Sequence, residues 1–121
     1  MVLDANIVIY AANKPPQWLS DLVLQSGNSV ASVVKIEVYG FPGLQDSERK
    51  ALDDLFAHWK IHPLDDAIIA RTIEIRKLRR MGLGDAIIAA TALVHQKRLA
   101  TRNVEDFKHI AGLQLVNPFV E

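Results

Sequence analysis

Four carboxylates stand where a charge needs a reason: Asp4 in "MVLDAN", Glu37 in "VKIEVYG", Asp85 in "GDAIIAAT" and Asp106 in "TRNVEDF". Each has a simple account. Asp4 or Asn6 can cap a first helix, Asp85 an apolar one, and Asn103 the one after "LATR". Glu37 can be a solvated side chain on a short amphipathic helix. A second account treats them together. Carboxylates gathered at one place repel, and some stay protonated at a cost of more than about 1 kcal/mol per pKa unit unless a counter-charge is present. A divalent cation removes that conflict. Mg²⁺ and Mn²⁺ prefer carboxylate oxygen and water, and few protein ligands leave positions open for phosphate oxygens.

Other chemistries lack their residues. There is no cysteine, so thiolate metal sites, cysteine nucleophiles and disulfides are out, and a cytoplasmic protein is the expectation. No Gly-rich phosphate loop and no Gly-x-Ser-x-Gly occurs. The histidines at 58, 62, 95 and 109 lack ligand-type context; His58 and His62 are four apart, but Pro63 and its neighbours break any helix there. An aspartyl phosphatase centred on Asp4 generally wants a second Asp two residues on, and that residue is Asn6. Five of the ten residues from 71 to 80 are basic: Arg71, Arg76, Lys77, Arg79 and Arg80. They suit a helix C-terminus, and Arg76, Arg79 and Arg80 are also candidates for contact with nucleic-acid phosphates or an acidic protein segment.

The elements that must position these groups follow from periodicity. "MVL" reads as a strand, Ala5 to Ala12 as a helix stopped before Pro15 and Pro16, and "PPQWLSDLVLQSG" as a second helix ended by Gly27. "SVAS" is a strand, followed by a helix capped by Ser32 and stopped at Gly40. "DSERKALDDLFAHW" is a helix and "KIHPL" a strand. "DDAIIARTIEIRKLRRM" is a helix stopped by Gly82, and "GDAIIAATALVHQKR" is another, apolar on every face of its first turns and therefore buried. "LATR" and "LQLV" are strands around a short helix in "NVEDFKHI". Leucines and aromatics of the helices at 17 to 26 and 46 to 59 are expected in the core.

At 121 residues, half of them hydrophobic, the chain is expected to form one domain over 1–121. Strands alternating with helices imply a three-layer α/β/α fold with a short-stranded, mainly parallel central sheet. Its strand ends form the ligand crevice, and Asp4 and Thr101 to Asp106 all follow strands at that edge. Fourteen basic residues balance fourteen acidic ones, which argues against a dedicated nucleic-acid coat but leaves room for local patches. The longest apolar run, "AIIAATALV", is too short to cross a bilayer, and no signal peptide or membrane role is expected.

With these residues laid out, the chain resembles the PIN-domain nucleases, and within them the VapC-type toxins of toxin–antitoxin pairs. The resemblance covers nearly the whole chain. It rests on "VLDANIVIY", "SVVKIEVYG", "GLGDAIIAATAL" and "LATRNVEDFKHIAGLQLVNPF", of which "DAIIAATA" followed by "TRNVEDF" is the most specific. It implies a metal-dependent endoribonuclease, inhibited by a cognate antitoxin and homodimeric. Asp4, Glu37, Asp85 and Asp106 match the family's acidic quartet that binds Mg²⁺ or Mn²⁺, with Asn6, Thr101 and Asn103 as supporting polar residues. Asn103 holds a position that is acidic in other members, which leaves open whether it or Asp106 is the fourth ligand. The sequence departs at Ala5, where many relatives carry Thr, and in Gly82-Leu83-Gly84, which lacks the basic residue some relatives carry. A water nucleophile would leave a 5′-phosphate and a 3′-hydroxyl. The rival reading is a non-catalytic α/β interaction module whose acids are helix caps.

Overall fold

The computed structural model describes residues 1–119. The last two residues of the expected 1–121 domain lie outside them. The elements are β1 (Val2–Leu3), α1 (Ala5–Ala12), α2 (Gln17–Val23), β2 (Ser29–Ala31), α3 (Ser32–Tyr39), α4 (Asp46–His58), β3 (Lys60–His62), α5 (Asp66–Leu78), α6 (Leu83–Val94), β4 (Leu99–Ala100), α7 (Val104–Phe107) and β5 (Leu115–Val116). The strands form one sheet in the order β3-β2-β1-β4-β5. Every pairing among the described residues is parallel. Helices cover both faces, which gives the three-layer α/β/α arrangement that the alternation of elements implies.

Strand order decides where the crevice lies. From β1 the chain proceeds outward through β2 to β3, then returns to the other side of β1 for β4 and β5. Order therefore reverses between β1 and β4, and the carboxyl ends of those two strands flank the crevice. Val2 pairs with Leu99 and Leu3 with Ala100, so the next residues outward, Asp4 and Thr101, stand side by side at that edge. The Asp4 amide continues the ladder by donating to the Ala100 carbonyl at 3.0 Å.

Helix α6 lies against β1 and β2 and is covered by α3 and α5. Its residues from Ala86 to Thr91 and Ala92 are all buried, as expected for a helix without a polar face. Small residues allow this close approach, and the one hydroxyl among them, on Thr91, is satisfied by donating to the Ile87 carbonyl at 2.7 Å.

Several helix ends differ from the sequence expectation. Ser32 does not cap α3; β2 runs straight into the helix, so Ala31 takes the cap position and Ser32 is the first helical residue. Asp85 is not a cap either, because α6 starts at Leu83 with Gly82 in the cap position, and Asp85 falls within the first turn. Helix α5 ends at Leu78, short of Gly82, because residues 79 to 82 form the connection into α6, with Arg79 fully extended at φ −161° and ψ 143°. Helix α2 ends at Val23, and Gly27, at φ 90°, serves the turn beyond it. Helix α6 stops at Val94, before "HQKR", where Gln96 takes a positive φ of 54°. The side chains from 17 to 24 divide: Leu19 and Val23 are core, whereas Trp18 and Leu24 are exposed. Among the described residues no helix is long and apolar enough to cross a membrane.

Candidate active site

Asp4 sits one residue past β1, where an extended backbone at φ −71° and ψ 155° turns into α1. It is the cap of α1, and its Oδ1 accepts a hydrogen bond from the Asn6 amide at 2.9 Å. Capping uses only one oxygen. The other, Oδ2, accepts from the Thr101 hydroxyl across the switch point at 2.5 Å. Thr101 is wholly buried, and its Oγ in turn accepts from the Asn103 amide at 3.0 Å. The relay from Asn103 through Thr101 to Asp4 holds a carboxylate that is only 3 % exposed in one orientation. A carboxylate has about four acceptor positions, and these two bonds leave the rest open.

Asp85 reaches the same edge from the first turn of α6, and Glu37 reaches it from α3. The Asp85 carboxyl is held above its ordinary range by burial first, then by the charges of Asp4 and Asp106. Burial likewise raises the Glu37 carboxyl, followed by the charges of Asp85 and Asp4. The charges of Asp4 and Asp85 therefore reach Glu37, and those of Asp4 and Asp106 reach Asp85, at one rim of the sheet. Asp106, on the exposed side of α7, enters this set through Asp85. Asn103 stands at the start of α7 with its side chain exposed and making no capping bond, and Asn6 contributes its backbone amide to Asp4 from within α1.

The donor set is oxygen only, which suits a hard divalent cation. Among the described residues, no three Asp, Glu or His side chains already converge on a single point as a closed metal cage would require. An ion such as Mg²⁺ does not demand one, since it is commonly held by one or two carboxylates and keeps its waters. Burial and neighbouring acids both disfavour charge on Glu37 and Asp85, and the residues present fit such an ion.

Two features of this edge were not expected. Gly84 packs under Glu37: a Cβ there would stand 2.9 Å from Oε2 and 3.1 Å from Oε1 of the carboxylate. A glycine inside a helix is costly, and here its missing side chain is the space the acid occupies. We expect Gly84→Ala to leave folding stability unchanged or raise it by about 0.5–1 kcal/mol, while it displaces Glu37 and lowers catalytic turnover. Parallel chemical denaturation and activity assays check this, and unchanged turnover would remove Glu37's present position from the mechanism. The second feature is Arg102, beside Thr101, whose guanidinium lies 5.5 Å from the Tyr10 ring centroid and 4.9 Å from that of Phe119. Trp18 meets Phe119 edge-on at 5.2 Å. Arg102 was readable in "TRN", but its aromatic partners come from distant segments and only folding assembles them.

Arg76, Arg79 and Arg80 line a different feature, an open groove of about 800 Å³ with Leu64, Ile73 and Leu83. Among the described residues the three ion pairs involve other residues, and none of these arginines is joined to the four acids.

Comparison with known proteins gives the family. The family model for the PIN domain matches residues 1–113. The chain belongs to the PIN domain family. Its relatives include Ribonuclease VapC10 of Mycobacterium tuberculosis, 33% identical over 107 residues that span 84% of this chain and 77% of that protein. The fold is similar to that of VapBC2 from Rickettsia felis bound to a DNA fragment from their promoter, with a TM-score of 0.83, 26% identity and 96% of each chain covered. A toxin–antitoxin complex from Klebsiella pneumoniae gives a TM-score of 0.80 at 26% identity, over 99% of this chain and 98% of that one. The four acids of this PIN domain occupy the carboxyl edge of its parallel sheet, on both sides of the point where strand order reverses.

Proposed function

We propose that the chain is a Mg²⁺- or Mn²⁺-dependent endoribonuclease and the toxin of a toxin–antitoxin pair. The observation that carries this reading is the gathering of Asp4, Glu37 and Asp85 at the switch point, where Thr101 orients Asp4. The ribonuclease name of the Mycobacterium tuberculosis relative and the toxin–antitoxin complex from Klebsiella pneumoniae support RNA as the substrate class and an antitoxin as the partner.

Asp4 and Asp85 would hold the ion, with Glu37 and Asp106 directly or through water. Bound there, such an ion neutralises charge on a scissile phosphate and makes a water more acidic. The protein's own groups do the positioning. The Asn103–Thr101–Asp4 relay fixes one carboxylate. Glu37, its carboxyl raised by burial and by its acidic neighbours, is suited to take a proton from the attacking water. The water adds to phosphorus in line, the bond to the 3′ oxygen breaks, that oxygen takes a proton from solvent, and the products carry a 5′-phosphate and a 3′-hydroxyl. Arg102 with Tyr10 and Phe119 provides a face on which an unpaired base can stack beside the acids.

The groove of Arg76, Arg79 and Arg80 combines an apolar floor with basic sides, which suits an amphipathic antitoxin segment bearing acids. The exposed Ile36 and Phe41 are apolar ground for a second copy of the chain.

The deciding experiment is cleavage of a structured RNA panel with analysis of the product ends. Chelation with EDTA should abolish cleavage, and Mg²⁺ or Mn²⁺ should restore it. A 2′,3′-cyclic phosphate, or full activity in EDTA, overturns the mechanism.

A further inference from the structure

The amino edge of the sheet, opposite the acids, holds a smaller pocket of about 350 Å³. Ser29 opens β2, Lys60 and His62 come from the edge strand β3, His58 ends α4, and His95 and Lys97 follow the end of α6. Pairing of Ser29 with Lys60, and of Ala31 with His62, places Ser29, Lys60 and His62 on one face of the sheet. The His95 ring stacks on His62 with centroids 4.0 Å apart. His95 lies ten residues beyond Asp85 along α6, about 15 Å at the helical rise.

Two properties set this pocket apart. The Ser29 hydroxyl, both ring nitrogens of His62 and Nε2 of His95 are buried and find no hydrogen-bond partner among the described residues. Ser29 and His62 are each 2 % exposed. Buried polar groups are nearly always satisfied, and a cluster left open around a cavity points to something that fills it. The lining also contains two ammonium groups and no carboxylate. A cation is thereby the wrong occupant, and an anion that accepts several hydrogen bonds is the right one.

We propose that this pocket binds a phosphate group, either inorganic phosphate or the phosphate of a small phosphomonoester. Lys60 and Lys97 neutralise its charge, while the Ser29 hydroxyl and the His62 and His95 imidazoles fill its acceptor positions. The pKa of His62 agrees with such an arrangement. Burial first, then His95, Lys60 and Lys97, push it down to about 4 against an upward pull from Asp65. The volume falls at the low end of ligand pockets, enough for a phosphate and an attached group but too small for a folded polymer. The α6 carbonyls that point toward this end are largely occupied, with His95, Gln96 and Lys97 amides donating to Thr91, Leu93 and Ala92. This site is independent of the proposed ribonuclease reaction.

The test is an NMR titration of the histidine ring signals in the full chain, with EDTA present and ionic strength held constant by chloride. Sodium phosphate and uridine 5′-monophosphate are the two probes. We expect saturable shifts of His62 and His95 for at least one probe. The Kd should rise at least about tenfold in Lys60→Gln/Lys97→Gln, whose substitutions are at exposed positions, and should also rise in Ser29→Ala. Similar affinity for both probes identifies the bare phosphate as the ligand, and tighter binding of the nucleotide identifies a phosphomonoester. Shifts that stay linear with concentration for both probes, or binding undiminished in the double variant, overturn the proposal. RNA cleavage by the double variant should stay at the wild-type level.

Discussion

Asp85→Asn should reduce RNA cleavage by at least about a hundredfold and at the same time make the metal-free protein more stable. The two effects have one cause. Asp85 carries a charge where burial, Asp4 and Asp106 all disfavour it, and an amide of the same shape keeps the packing while removing that charge. A group whose carboxyl is raised in the folded state binds more protons folded than unfolded, so stability falls as pH rises from the unfolded carboxylate pKa, about 4, through the raised value. Glu37 adds to the same trend. Wild-type metal-free protein should therefore lose stability relative to the variant as pH rises through this window, with the gap complete above it. Added Mg²⁺ should raise the Tm of the wild type and leave that of Asp85→Asn nearly unmoved. Thermal denaturation at several pH values with EDTA or Mg²⁺, beside an RNA cleavage assay, reads all of these. A variant that is less stable than wild type at neutral pH, yet still folded, would mean that Asp85 is a structural residue.

Thr101→Val should be the most damaging substitution that leaves every carboxylate in place. Valine fills the same volume but has no hydroxyl, so Asp4 Oδ2 loses its donor and the Asn103 amide loses its acceptor in a buried setting. Leaving such groups unsatisfied costs about 1–3 kcal/mol. Losing the orientation of a proposed metal-binding carboxylate costs about 10- to 100-fold in activity or metal affinity. Thr101→Ser restores the hydroxyl and should recover most of both. Urea denaturation and cleavage kinetics on the two variants decide it. Equal activity of Thr101→Val and wild type would show that the relay does not position Asp4 for catalysis.

These two residues also show how differently the parts of the protein can be read from the chain. Asp85 sits in "GDAIIAAT", where one charge ahead of a uniformly apolar helix is conspicuous, and the burial of α6 follows from composition alone. The alternation of strands and helices was equally legible, because the two periods of hydrophobicity differ and Pro and Gly punctuate them. Local signals failed at helix ends. Ser32 and Asp85 are good capping residues, yet tertiary connections put Ala31 and Gly82 in those positions. Asp4 shows why one residue need not choose between accounts, since one oxygen caps α1 while the other bonds Thr101.

The sequence by itself determined the alternating elements, the buried helix and the acids at strand ends, because hydrophobic period and residue type act over a few positions. Only the tertiary structure decided that strand order reverses between β1 and β4, that Thr101 bonds Asp4 ninety-seven residues away, that Gly84 makes room for Glu37, and that Ser29, His62 and His95 share a cavity. Those outcomes depend on distances between segments remote in the chain, set by how helices and strands pack, and no local pattern encodes them.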